Sequence, residues 1–101
     1  MSDKVYTIDE IKKIAAPIAK DHGVSAMYLF GSYARGDATS DSDLDFRIDK
    51  GRITNLLQLS GLLNDLEDGF QKRLDLLTTQ MLTPGFLASI HPEEVLIYAH
   101  T

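Results

Sequence analysis

The chain has 101 residues, 44% hydrophobic and 25% charged, which suits one small globular domain spanning residues 1–101 and excludes a disordered or collagen-like polymer. Its formal charge of -5 gathers acid between Asp37 and Asp49, where a nucleic-acid binder would carry a basic stripe, so DNA or RNA is not expected as the primary partner. The absence of cysteine excludes a disulfide framework and a thiolate metal site; with no run of about 20 apolar residues and no signal-like stretch in Met1 to Glu10, no membrane span is expected and a cytoplasmic location is.

Thr7-Ile8-Asp9-Glu10 has the form of a capping box, and Ile8, Ile11, Ile14, Ala15 and Ile18 recur at helical spacing. A helix ending near Gly23 follows, with a kink expected at Pro17, which lacks the N–H for one helical hydrogen bond. Val24 to Phe30 is a short apolar run that stops at Gly-Ser and reads as a buried strand. Asp43 to Ile48 alternates, Leu44, Phe46 and Ile48 facing one way and Asp43, Asp45 and Arg47 the other, as a half-buried strand requires.

Leu56, Leu59, Leu62, Leu63 and Leu66 mark a second amphipathic helix, capped by Thr54 or Asn55 and stopped at Gly69. Lys72 to Thr78 reads as a third strand in which Asp75 stands among leucines. Beyond Pro84, the stretch with Phe86, Leu87 and Ile90 suits one or two helical turns, and Val95 to Ala99 suits a last strand or a partner-binding edge. The expected fold class is α/β (α+β), a small mixed sheet with helices packed against it.

Three features carry chemistry. The first is Gly31-Ser32-Tyr33-Ala34-Arg35-Gly36 at the end of the first strand. Gly31 and Gly36 have the spacing of a P-loop, but Asp37 and Ala38 stand where Lys and Ser/Thr are needed, so that motif fails. What survives is a Gly-Ser turn whose N–H groups and Ser32 hydroxyl suit phosphate oxygens; alone, such a turn is usually only a turn.

The second is Asp41-Ser42-Asp43-Leu44-Asp45. As a calcium loop it fails, because Phe46 and Arg52 occupy the positions of the required glycine and glutamate. On a strand, Asp43 and Asp45 project from one face about 7 Å apart, close enough to share magnesium. Without a cation they repel each other, which makes a merely solvated acidic loop an uncomfortable alternative. The third is Asp75, either salt-bridged to Arg73, Lys72 or Arg47, or a third carboxylate completing a two-metal clamp for nucleotidyl transfer.

Gly31-Ser32, ten residues, then Asp43-Leu44-Asp45, within LFGSYARGDATSDSDLDF and followed by RLDLLT, resembles the signature of the DNA polymerase β-like nucleotidyltransferase superfamily. The resemblance covers nearly the whole chain and is greatest to the minimal nucleotidyltransferase (MNT) branch, short proteins often paired as antitoxins with HEPN-domain RNase toxins. It implies that Gly31 and Ser32 form the triphosphate-binding turn, that Asp43, Asp45 and Asp75 are catalytic and ligate magnesium, two ions in all, and that Asp75 helps deprotonate the acceptor. Arg35 either braces the loop or meets phosphate. Arg47, where the family has an apolar residue, either binds phosphate or quenches an acidic face. Phe46 replaces the commoner leucine.

The resemblance further implies a magnesium-dependent enzyme that transfers AMP from ATP to a protein hydroxyl, a tyrosine of a cognate HEPN toxin, in a hetero-oligomer with that toxin. Two alternatives stand beside it: an antitoxin that neutralises by binding alone, and nucleotidyl transfer to a small molecule with the help of a partner domain.

Overall fold

A computed structural model describes residues 4–100. Helix α1 (Ile8–His22) opens on the capping box, Thr7 accepting from the Glu10 N–H at 3.1 Å and Glu10 accepting from the Thr7 N–H at 2.9 Å. It runs through Pro17, which lies on the exposed side, and ends on Gly23 in the left-handed conformation. Strand β1 (Ala26–Phe30) leads into a single helical turn, α2 (Ser32–Arg35), and β2 (Leu44–Asp49) follows the acidic loop. Asp43 therefore precedes the strand instead of beginning it.

Helix α3 (Leu56–Phe70) is capped by Asn55, whose side chain accepts from the Gln58 N–H at 2.8 Å. It does not stop at Gly69. Gln71, with φ 52°, takes the left-handed terminal position, and Gly69 serves packing instead. A Cβ there would stand 3.1 Å from Ile14 Cγ2 and 3.2 Å from Ile18 Cδ1, so the missing side chain lets α3 lie close on α1. Strand β3 (Leu74–Thr78), helix α4 (Pro84–Ile90) and strand β4 (Val95–Ala99) complete the chain, with one 3₁₀ turn (Thr79–Met81) after β3 and another (His91–Glu93) before β4.

The sheet order is β3-β2-β1-β4, β1 lying antiparallel to both neighbours and β2 parallel to β3. Parallel neighbours need a long crossover, which α3 supplies. One sheet face is apolar: Met27, Leu29, Leu44, Phe46 and Ile48 are fully buried with Ile11, Ala15 and Ala19 of α1 and Leu62, Leu66 and Phe70 of α3. Each large side chain so buried contributes about 1.5–3 kcal/mol by removal from water, and this face is the principal source of stability.

The opposite face of β2 is polar and carries the alternation into chemistry. Arg47 lies over the Tyr28 ring, 4.1 Å from its centroid, and is only 6% exposed. It donates from Nε to Glu94 Oε2 at 2.6 Å, from Nη2 to Glu94 Oε1 at 2.9 Å and from Nη1 to Thr79 Oγ1 at 2.8 Å. With Asp49 also within 3.5 Å of Nη1, its donors are committed, and of the two expected roles the structure supports charge quenching, directed at Glu94 and Asp49.

Removing one partner from such a buried pair strands the other charge. Arg47→Ala is expected to cost about 3–5 kcal/mol in urea melts. The double variant Arg47→Met/Glu94→Met should recover most of that loss, and equal destabilisation of single and double variants would show that shape, not charge pairing, dominates here.

Candidate active site

Phe30 and Asp45 are register partners across β1 and β2, and Asp45 and Asp75 are partners across the parallel β2–β3 ladder. These pairings bring the end of β1 and its Gly-Ser turn to the same end of the sheet as two carboxylates. Gly31 has φ 78° and ψ -158°, a region glycine enters with least strain. The reason for glycine is steric as well as conformational: a Cβ at this position would stand 2.2 Å from Asp45 Oδ2. The turn and the strand carboxylate therefore fit together only because residue 31 has no side chain.

Tyr33, buried at 3% exposure, anchors the turn from below, and Gly36 in the left-handed conformation closes α2. Among the described residues the Ser32 hydroxyl has no hydrogen-bond partner, while its carbonyl accepts from the N–H groups of Gly36 and Asp37 at 3.0 and 3.1 Å. The acidic loop is ordered by its own hydrogen bonds: Thr39 N–H donates to Ser42 Oγ at 2.9 Å, and Ser42 N–H to the Thr39 carbonyl at 3.0 Å. Lys72 Nζ donates to the Ser40 carbonyl at 2.8 Å, pinning this loop toward the strand that carries Asp75.

Asp45 is half-buried and Asp75 exposed. Burial, first, then a hydrogen bond that the protonated Asp45 donates to the Asp75 carboxylate, the charge of Asp75 and that of Asp43 push the Asp45 carboxyl up to about 7, with Arg35 opposing them. Asp45 so placed keeps its proton toward neutral pH unless a cation takes its place. Among the described residues no ion pair engages Asp75, so the expected alternative of a salt bridge to Arg73, Lys72 or Arg47 does not form. Nor do three acidic or imidazole side chains converge on one point among those residues, and Asp43 acts on Asp45 through its charge, from the loop.

Arg35 is half-exposed, its Nε 3.5 Å from Asp37 and its Nη1 3.3 Å from Glu93 Oε2. Both acids raise its pKa, Asp37 the more strongly. Glu93 is the site residue that sequence reasoning missed: its Oε2 accepts from the Gly31 N–H at 2.6 Å, from 62 positions away along the chain. No local pattern around Pro92-Glu93-Glu94 signals that contact.

The folded chain holds the Asp45 proton to about pH 7, whereas the unfolded value is 3.8, so folding takes up a proton between these limits. This group's contribution to stability therefore falls as pH rises from roughly 4 through 7. In chelator-treated buffer, Asp45→Asn should gain in melting temperature relative to the unsubstituted chain between pH 5 and pH 8, and parallel profiles would exclude this proton.

With the geometry established, likeness to known proteins agrees with it. The family Polymerase beta, Nucleotidyltransferase matches residues 12–101. The protein adenylyltransferase MntA of Thermococcus cleftensis is 34% identical over 97 residues, which are 92% of this chain and 98% of that protein. A solved structure provisionally described as a minimal nucleotidyltransferase superposes with a TM-score of 0.78 at 26% identity, covering 89% of this chain and 95% of that one. The complex of a tri-AMPylated Shewanella oneidensis HEPN toxin with an MNT antitoxin holds a chain of the same fold, with a TM-score of 0.71 at 14% identity over 93% of this chain and 74% of that one. A Gly-Ser turn interlocked with a strand carboxylate, a second carboxylate beside it in register, and these likenesses lead to one conclusion: the chain belongs to the polymerase β nucleotidyltransferase family, among its minimal nucleotidyltransferases.

Proposed function

We propose that this chain transfers AMP from ATP to a hydroxyl group of a partner protein, a tyrosine of a HEPN-type toxin that it thereby silences. The observation that carries the chemistry is the Asp45–Asp75 pair beside the Gly31–Ser32 turn. A half-buried acid beside an exposed one, neither in an ion pair among the described residues, with Asp43 adding charge from the loop, is a hard-oxygen donor set that suits magnesium. Magnesium held by Asp45, Asp75 and Asp43, as two ions, would neutralise the phosphates and favour attack at the α-phosphorus.

The chain's own groups supply binding and positioning. The Gly31 and Ser32 N–H groups and the Ser32 hydroxyl hold triphosphate oxygens, and Arg35 adds positive charge at the rim. The acceptor oxygen forms a bond to the α-phosphorus as the bond to the β-phosphate oxygen breaks; pyrophosphate leaves, and the hydroxyl proton passes to the Asp75 carboxylate. Asp75 is exposed on β3, an edge strand, so the acceptor approaches from outside the fold. That openness favours a protein substrate, and the MNT antitoxin found with a tri-AMPylated HEPN toxin supplies the partner class. No helix among the described residues is long and apolar enough to cross a membrane, and the proposal places the reaction in the cytoplasm, with its ATP.

Intact-mass analysis of a HEPN-type toxin incubated with this chain, ATP and magnesium is expected to show whole AMP additions. Asp43→Ala/Asp45→Ala should abolish them, a loss of at least a hundredfold in rate for groups that stabilise transition-state charge. Neutralised toxin of unchanged mass, with both forms of the chain, would instead establish neutralisation by binding alone.

A further inference from the structure

The transfer just described leaves Glu93, a charged side chain at the centre of the site, without a task. Its carboxylate accepts from the Gly31 N–H at 2.6 Å and lies 3.3 and 3.4 Å from Arg35 Nη1. Gly31 and Arg35 are the same donors that the proposed function assigns to phosphate. A single N–H cannot serve a carboxylate and a phosphate oxygen with full strength, and charge-assisted bonds to either are stronger than ordinary ones. Glu93 and the triphosphate are therefore rivals for one seat.

We propose that Glu93 is a resident anion that occupies the phosphate seat at Gly31 and Arg35 and must swing away before a nucleoside triphosphate enters, thereby setting the affinity for ATP. This rests on the reading of Gly31–Ser32 as the triphosphate-binding turn. The neighbouring residue makes the motion local. Glu94, with its side chain 4% exposed, is locked to Arg47 and fixes the backbone at the end of the 3₁₀ turn. Glu93 has a side chain 23% exposed, facing an Arg35 that is 49% exposed, so it can leave the seat toward solvent without unpacking the core. Release adds a cost to every triphosphate that binds, because only the vacated fraction of molecules can accept one.

A resident rival and a structural brace make opposite predictions. Glu93→Gln keeps the shape and an acceptor oxygen but loses the charge; Glu93→Ala vacates the seat. Calorimetric titration with magnesium present is expected to show ATP binding about five- to tenfold tighter in Glu93→Gln, the difference between a charge-assisted and an ordinary hydrogen bond, and at least as much tighter in Glu93→Ala. Inorganic tripolyphosphate should show the same gain and adenosine none. Unchanged or weaker triphosphate binding in both variants, with melting curves showing that they fold, overturns the proposal. Ser32→Ala, titrated in parallel, separates the two levels: weakened ATP binding there, without gain in the Glu93 variants, leaves the turn as the phosphate seat and removes the rival. If Ser32→Ala also leaves ATP affinity unmoved, the turn is not the phosphate seat and both readings fall.

Discussion

The parallel pairing of β2 with β3 sets Asp45 beside Asp75, and holding two like charges in neighbouring strands is the constraint around which the rest of the molecule is arranged. Neighbouring strands stand only about 4.7–4.9 Å apart, and like charges directly across a ladder destabilise it. The opposite face of the same strand supplies the compensation. Leu44, Phe46 and Ile48 are fully buried against α1 and α3, and that apolar packing fixes β2 whatever its other face carries. A strained polar edge on a well-packed apolar base is a common arrangement for a reactive site.

The polar face of β2 also shows why the acidic pair keeps its charge problem. Arg47 lies two residues beyond Asp45 on the same face, and an unengaged guanidinium there would lower the demand for an external cation. It is engaged: Glu94, Thr79 and Asp49 take its donors, and Tyr28 takes its face. The basic partner at the other side, Arg35, opposes the rise of the Asp45 pKa but is itself shared with Asp37 and Glu93. Charge compensation is thus met at one end of the strand and incomplete at the other, where Asp45 lies beside Asp75 of the edge strand β3.

Local signals were legible in the sequence where the physics is local. The Thr7–Glu10 box marks the start of α1, Gly23 its end, and the alternation in Leu44 to Ile48 gives the correct buried face of β2. The Gly31-Ser32 turn and the aspartates at 43, 45 and 75 were legible as one group through the family resemblance, while the strand pairing that sets Asp45 beside Asp75 comes from the fold. Three features were not. Gly69 reads as a helix stop because its packing role depends on Ile14 and Ile18 of another helix, and the turn it should have made falls to Gln71. Arg47 is correctly assigned to the polar face, yet its fate is decided by Glu94, 47 residues away. Glu93 reaches the turn across 62 residues, and nothing in its neighbourhood distinguishes it from a solvated glutamate. Long-range electrostatic partners leave no periodic trace.

The fit between Gly31 and Asp45 has a consequence for which sequences this site can tolerate. The space that a Cβ would need at residue 31 is filled by the Asp45 carboxylate, so the two positions share one volume. Lengthening the acid to glutamate would drive the same charge a methylene further into the backbone of the turn, and enlarging the glycine would drive the turn into the acid. Charge conservation alone therefore does not preserve the site, because aspartate and glutamate are not equivalent at position 45. Positions 31 and 45 behave as a single two-residue unit whose identity is fixed by shape before chemistry enters, so any drift at one must be answered at the other.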